Sequence, residues 1–197
     1  MTASSMTIRP ACTQDAKRLL EIYSYYIENT AVTFEYDVPT PEEFESRIEN
    51  TLKKYPYLVL EQDGRIIGYA YAGAFHPRAA FAWCAELTVY LERGCRRTGG
   101  GRMLYSELER ILSEMGIIKA YACVACPEKD DEYLTRNSLD FHRHTGFVPV
   151  GEFPRSGFKF GRWYSIVWLE KVLGSHIETP GRVIPYPELM NSGRTGK

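Results

Sequence analysis

The segment CAELTVY holds a carboxylate in the middle of an apolar run: Glu86 shares a strand face with Thr88 and Tyr90, while Leu87, Val89 and Leu91 take the other face. A charged side chain in mid-strand is unusual. Held near a cleft and partly desolvated, such a carboxylate has a raised pKa and suits the removal of a proton from an ammonium group, which must become a free amine before its nitrogen can attack. The plainer reading is a solvent-facing or salt-bridged strand residue. A short way on, Arg96, Arg97, Thr98, Gly99, Gly100, Gly101 and Arg102 lead into a helical pattern with Leu104, Leu108, Ile111, Leu112 and Met115 on one face, ended by Gly116. Glycine is poor inside a helix, so three in succession mark a tight turn or a close approach to the backbone. The first helical N–H groups have no internal partner and lie at the positive end of the helix dipole, which makes an anion the natural guest.

Three anion-binding patterns compete for that stretch. A nucleotide P-loop needs a lysine after its last glycine, and here Gly100 and Gly101 follow Gly99. A dinucleotide fingerprint needs a third glycine where Leu104 stands and an acidic residue about 20 positions on. What remains is the form Gln/Arg-x-x-Gly-x-Gly/Ala, met by Arg96 to Gly101.

The elements around these residues follow from hydrophobic period and turn signals. MTIRPA reads as a first strand, with Thr13 capping a helix striped by Leu19, Ile22, Tyr23, Tyr26 and Ile27. Thr40-Pro41-Glu42-Glu43 combines an N-cap, a proline at the first helical position and a capping-box glutamate, and starts a second helix. Two strands joined by Asp63-Gly64 form a hairpin, FAWCAELTVYL a fourth strand, and the glycine-led helix a third helix. IIKAYACVAC is then a strand, NSLDFHRHTGF a short helix, and FVPVGEF with FKFGRWYSIVWLEK a closing strand pair. From Val172 the pattern fades, so residues 172–197 read as a tail on the surface or on a partner subunit.

The 197 residues are 44% hydrophobic and 25% charged, which suits one globular domain rather than a disordered chain. A net charge of −1 and a pI near 6.4 give no basic footprint for nucleic acid. No apolar run is long enough to span a bilayer and the N-terminal residues lack a signal-peptide core, so no membrane partner and a cytoplasmic place are expected. Five cysteines fit reduced thiols. Cys123-Val-Ala-Cys126 reads as part of a small-residue strand rather than a zinc site, because no second pair accompanies it, and no metal is expected.

Set between AELTVYL and RMLYSELERIL, the RRTGGG stretch resembles the pyrophosphate loop of the GNAT acyltransferases. AWCAELTVYLERGCRRTGGGRMLY, FEYDVPTPEEF and GFKFGRW resemble, within that superfamily, the phosphinothricin and methionine-sulfone N-acetyltransferases, over residues 8–171. The resemblance implies an α/β (α+β) fold, a central mostly antiparallel mixed sheet flanked by helices, with the GNAT domain at residues 6–171. It implies acetyl-CoA as co-substrate, a homodimer, and direct attack by the primary amine of a small amino-acid-like molecule with Glu86 as general base, directly or through water. The main chain of Val89, Tyr90 and Leu91 would pair with pantetheine, and Arg96, Arg97, Thr98, Gly99, Gly100, Gly101 and Arg102 would wrap the pyrophosphate. Gly100 replaces the family's usual larger apolar residue, which should loosen the loop. Asn137 resembles the amide residue that holds pantetheine. His142 stands where many GNAT enzymes have a tyrosine beside the sulfur; it would serve the leaving thiolate, or else pack in its helix. Phe34, Glu35, Arg78, Phe160 and Trp163 fall in the regions that line the acceptor site, with Arg78 suited to a carboxylate; the plainer readings are loop arginine and core aromatics. A peptide or protein amine as acceptor, and an acyl-CoA sensor without chemistry, are the alternatives. The apolar residues Ile177, Val183, Ile184, Tyr186 and Leu189 of the tail have no evident place in the domain and are expected to need cover.

Overall fold

The computed structural model describes residues 5–95 and 98–193. Arg96 and Arg97, both expected at the pyrophosphate, lie outside the described residues. In chain order the elements are strand β1 (Met6–Pro10), helices α1 (Ala16–Asn29) and α2 (Pro41–Leu52), and strands β2 (Tyr57–Gln62), β3 (Arg65–Ala74) and β4 (Cys84–Leu91). Then come α3 (Gly100–Met115), β5 (Lys119–Cys126), α4 (Asn137–His144), β6 (Val148–Lys159), β7 (Arg162–Val172) and α5 (Tyr186–Asn191).

Seven strands make one sheet in the order β1-β2-β3-β4-β5-β7-β6. Every neighbouring pair is antiparallel except β4 and β5, which run parallel and share only the pairs Cys84–Lys119, Ala85–Ala120 and Glu86–Tyr121. The parallel pair needs a crossover, and α3 supplies it. Its apolar stripe, with Leu104, Leu108, Leu112 and Met115 fully buried, packs on one face of the sheet along with Leu139 of α4 and Phe147. Helices α1 and α2 cover the other face over β2, β3 and β4, with a core rich in tyrosine. The expected mixed sheet flanked by helices is the fold observed.

Local signals account for most of the boundaries. Thr40 and Glu43 close the expected capping box, Thr40 Oγ1 accepting from Glu43 N at 3.2 Å and Glu43 Oε2 from Thr40 N at 2.9 Å. Before α1 the outcome differs from the expected Thr13 cap. Thr13–Asp15 form a short 3-10 turn, and Asp15 accepts the Cys12 N–H at 2.9 Å while Arg9 of β1 holds its carboxylate at 2.7 and 2.8 Å. The Asp15 carboxylate is thus tied back to β1 and to Cys12, and no side chain caps the start of α1.

The tail also departs from expectation, because its apolar residues find cover on their own domain. Ile184 N donates to Met115 O at 2.8 Å, Tyr186 N to Lys54 O at 2.9 Å, and Trp83 Nε1 to Gly181 O at 2.8 Å. Tyr186 and Leu189 of α5 are buried against the α3 side of the core, with Val183 and Ile184 packed beside them, and Ile177 stays exposed. A partner surface is not required to cover the tail.

Candidate active site

Glu86 stands at the last residue pair that β4 shares with β5, and beyond it the strands part. Its side chain rises on the α1/α2 side of the sheet, the side that also receives Tyr90. Across the antiparallel pair stands Gly73, where an added Cβ would meet no atom within 4 Å, so the space beside the carboxyl group is open. The group is half-buried and has no ion pair or hydrogen bond among the described residues. Burial alone holds its pKa above the ordinary carboxylate range.

The parting of the strands exposes main-chain groups in a defined order. Glu92 N donates to Ile67 O of β3 at 2.8 Å, which sets the alternation along β4. Tyr90, Thr88 and Glu86 turn their main-chain groups to β3, and Leu91, Val89 and Leu87 turn theirs toward the split. Tyrosines meet two of those three carbonyls: Tyr26 donates to Leu91 O at 2.5 Å, and the Tyr105 hydroxyl lies 3.3 Å from Leu87 O. Val89 lies between them, presenting an N–H and a C=O to the split as an edge strand does to an added chain.

The glycines sit where this edge meets α3. Gly99 adopts a left-handed conformation, φ 89°, that a residue with a side chain rarely takes. Met103 N is bonded to Gly99 O at 3.0 Å, so the amides of Gly100, Gly101 and Arg102 precede the helical ladder and point out of its start. A Cβ on Gly100 would lie 2.5 Å from Leu60 Cδ2, and one on Gly101 3.1 Å from the Phe141 ring. Gly100 therefore draws the helix start tightly onto β2 rather than loosening it. Thr98 Oγ1 donates to Cys95 O at 2.9 Å, and the exposed Arg102 reaches His144 O at 3.3 Å. Free amides at a helix start and an unpaired strand edge suit a pyrophosphate and an amide-bearing arm, so the residues present fit acetyl-CoA.

His142 is 4% exposed, on the α3/α4 side of the split. Its Nδ1 lies 2.7 Å from Ser138 O and its Nε2 2.9 Å from the Tyr105 hydroxyl. A carbonyl only accepts, so the ring carries its proton on Nδ1, and Nε2 accepts from Tyr105. Burial pushes the imidazole down to about 4. The neutral ring's one proton is thus committed to Ser138 and the phenol proton of Tyr105 to His142, and the pair stands beside the split, which Val89, Cys123, Tyr105, Ser138 and His142 all line. Asn137 is the exposed first residue of α4, next to that lining.

The expected acceptor residues are spread more widely. Glu35 is tied to Arg47 of α2 by contacts of 2.8, 3.2 and 3.1 Å and accepts from Tyr23 at 2.9 Å. Together these three flank a cavity of about 320 Å³ walled by Tyr57, Tyr69, Tyr71 and Tyr90. Arg78 is exposed on the β3–β4 connection, its guanidinium without a partner among the described residues. Phe34 lies over Gly157, where a Cβ would be 2.1 Å from its ring, and Lys159 donates to Thr33 O at 2.8 Å. The GFKFGRW stretch is thereby a clamp that fixes the loop carrying Glu35. Phe160 stacks on Tyr133 at 4.3 Å, and Trp163 is 59% exposed against Phe158; both sit at the far end of the β6–β7 hairpin. Sequence reasoning passed over Tyr71, Gly73, Tyr105 and Arg47. The alternation in GYAYAG carried the signal for the first two, since it repeats the face on which Glu86, Thr88 and Tyr90 fall.

Residues 8–168 match the family model described as an acetyltransferase (GNAT) domain. The phosphinothricin N-acetyltransferase of Streptomyces viridochromogenes is 31% identical over 159 residues, covering 81% of this chain and 83% of its own. The L-methionine sulfoximine/L-methionine sulfone acetyltransferase of Salmonella typhimurium is 30% identical over 172 residues, 87% of this chain and 96% of its own. Among solved structures, a GNAT superfamily phosphinothricin acetyltransferase from Sinorhizobium meliloti in complex with AcCoA superposes with a TM-score of 0.82 at 31% identity, covering 93% of this chain and 96% of that one. A sheet split beside a glycine-led helix and a family match over most of the chain lead to one conclusion: this chain belongs to the GNAT family and is an acetyl-CoA-dependent N-acetyltransferase.

Proposed function

We propose that the enzyme moves acetyl from acetyl-CoA to the primary amine of a small amino-acid-like acceptor by direct attack, with Glu86 as general base. The observation that carries this reading is an unpaired carboxyl group, its pKa raised by burial, beside open space at the point where β4 and β5 separate. Acetyl-CoA supplies the acetyl group in activated form, as a thioester. Val89 and the Leu91 N–H hold its arm along the β4 edge, Tyr90 being paired to β3 instead, and the start of α3 from Thr98 to Arg102 holds its pyrophosphate, with Arg96 and Arg97 adding positive charge. Glu86 takes the ammonium proton, directly or through water, and leaves a neutral amine to attack. On the other side of the split Tyr105 and His142, bonded to each other, border the departing thiolate, which takes the proton that the amine nitrogen loses as the amide forms. Arg78, uncommitted beside the entrance to β4, takes the acceptor's carboxylate.

A tyrosine-walled cavity of about 320 Å³ favours a small molecule over a peptide, and related enzymes named for phosphinothricin and for methionine sulfone point to the same class of acceptor. CoA release measured across amino acids, polyamines and peptides tests the assignment. Turnover with free amino acids is expected, and turnover with peptides alone would overturn it. We place the enzyme in the cytoplasm, where its five unbridged cysteines would stay reduced. The homodimer is proposed through the edge strand β6, whose Val148, Val150 and Phe153 are exposed, and a monomer by sedimentation would remove it.

A further inference from the structure

We infer that Cys123 selects the acyl donor: its side chain, backed by a block of aromatic rings, ends the space that receives the acyl group and so admits acetyl and excludes longer chains. This rests on the reaction proposed above and adds the residue that decides its donor.

The register of the sheet puts Cys123 at that place. Glu86 pairs with Tyr121, so continued pairing would set Thr88 against Cys123, both on the face that carries Glu86. The strands part instead, and Cys123 borders the gap with Thr88, Val89, Ala125, Tyr105 and His142. With the amine at Glu86 and the arm of acetyl-CoA along Val89, the carbon under attack lies between them, in this gap. The free space there is about 50 Å³, against about 320 Å³ for the tyrosine-walled cavity. A few water-sized groups fill it.

Each way out of the gap is walled or already in use. Trp168 is the cross-strand partner of Cys123, and Phe75 stacks on Tyr121 at 4.1 Å and meets Trp168 edge-on at 5.5 Å, which makes one wall rigid. Further along β5, Ala125 is buried with Ala31, Leu134 and Tyr164. The open space over Gly73 is where the acceptor approaches Glu86. A longer acyl chain must therefore displace the Cys123 side chain or the acceptor. Against a stacked aromatic block, even one added methylene is costly to accommodate.

Cys123 acts by its bulk rather than as an acyl carrier. It is an exposed residue, yet the protein packed around its thiol, and after it the Glu86 charge, push the thiol up to about 11. At neutral pH it stays protonated and is a poor nucleophile toward the thioester beside it.

A donor series tests this. With L-methionine sulfone saturating as acceptor, kcat/KM is measured for acetyl-, propionyl- and butyryl-CoA. The unaltered enzyme should lose roughly tenfold with each added methylene. Cys123→Gly should narrow the acetyl-to-butyryl ratio by roughly tenfold, and Cys123→Val should widen the acetyl-to-propionyl ratio by a similar factor. Cys123→Ser, close to cysteine in size, should keep the original ratios. The rise in Tm given by each acyl-CoA without acceptor is a second reading: butyryl-CoA should stabilise the unaltered enzyme less than acetyl-CoA does, and Cys123→Gly equally. Unchanged donor ratios in both the Gly and Val variants, or a wild type that uses butyryl-CoA as well as acetyl-CoA, would overturn the inference and leave the amino-acid reading standing. Loss of all turnover in folded Cys123→Ser would make the thiol an acyl carrier and overturn the inference together with direct attack. If the wild type turns over no amino acid while the Tm readings follow the expected order, the acceptor reading falls and the donor stop stands.

Discussion

The two halves of the proposed active site are made from different parts of the chain. The acetyl-CoA half is nearly one piece of sequence, from the exposed edge of β4 through the glycines into α3, and it offers main-chain groups. The proposed acceptor half is assembled from side chains of α1, the loop after it, α2, β2, β3 and β4, with β6 and β7 clamping the loop from outside. Main-chain donors survive most side-chain changes, whereas a wall of side chains changes shape with each one. A family can therefore keep one co-substrate and diverge in acceptor at about 30% identity, which is the level at which this chain resembles enzymes named for phosphinothricin and for methionine sulfone.

The largest expected effect separates chemistry from both halves. Glu86→Gln keeps the shape and one acceptor oxygen but removes the base, so turnover should fall by about 10²–10⁴ while acetyl-CoA still raises the melting temperature. The pH profile supplies a second reading. Because burial raises the carboxyl pKa, the wild-type base is protonated and idle at low pH, and kcat/KM should climb as pH passes that raised pKa and then flatten. The variant should lose this limb while still rising as free amine accumulates. Wild-type turnover with an unchanged profile would remove Glu86 from the chemistry and make it an ordinary strand residue.

Gly73→Leu tests the division between the halves directly. A side chain there fills the open space beside Glu86 without touching β4's far edge or the start of α3. Acceptor kcat/KM should drop by roughly 10- to 100-fold through misplacement of the amine, with the acetyl-CoA-induced thermal shift unaltered. Loss of the shift as well would show that the two halves are coupled through β3.

The same division explains what the sequence revealed. Glu86, the glycines and the stripe of α3 were legible because each is a local signal: a charge against a period of two, bare backbone against a period of 3.6, a capping box at Thr40. The bond between Tyr105 and His142 was not, since the two lie 37 positions apart and a buried tyrosine looks like any other core residue. Arg47 reads as a solvated helix residue until the loop carrying Glu35 is clamped across from it. The tail was misread for a related reason. Its lack of period suggested a segment on the surface or on a partner subunit, whereas single main-chain bonds to Met115 and Lys54 dock it on its own domain and leave Tyr186 and Leu189 in the core.

The smallest expected effect falls on the acetyl-CoA half and depends on conformation rather than contact. Gly99 is the residue whose left-handed φ of 89° turns the chain into α3, and none of the described residues comes within 4 Å of where its Cβ would be. Gly99→Val therefore meets no steric neighbour, and its whole cost is the strain of a β-branched residue in that region, about 1–3 kcal/mol. For a chain of this size that is a fall of about 2–12 °C in Tm, mild enough to leave a folded protein for assay. If the strain is relieved by rotating the turn, the amides of Gly100, Gly101 and Arg102 lose their common direction. The acetyl-CoA-induced rise in Tm should then shrink or vanish, while the ratios among acceptors stay as they were because the tyrosine cavity is untouched. A full rise in folded Gly99→Val protein would mean that these amides are not where the pyrophosphate is held; altered acceptor ratios would mean that the two halves are not built independently.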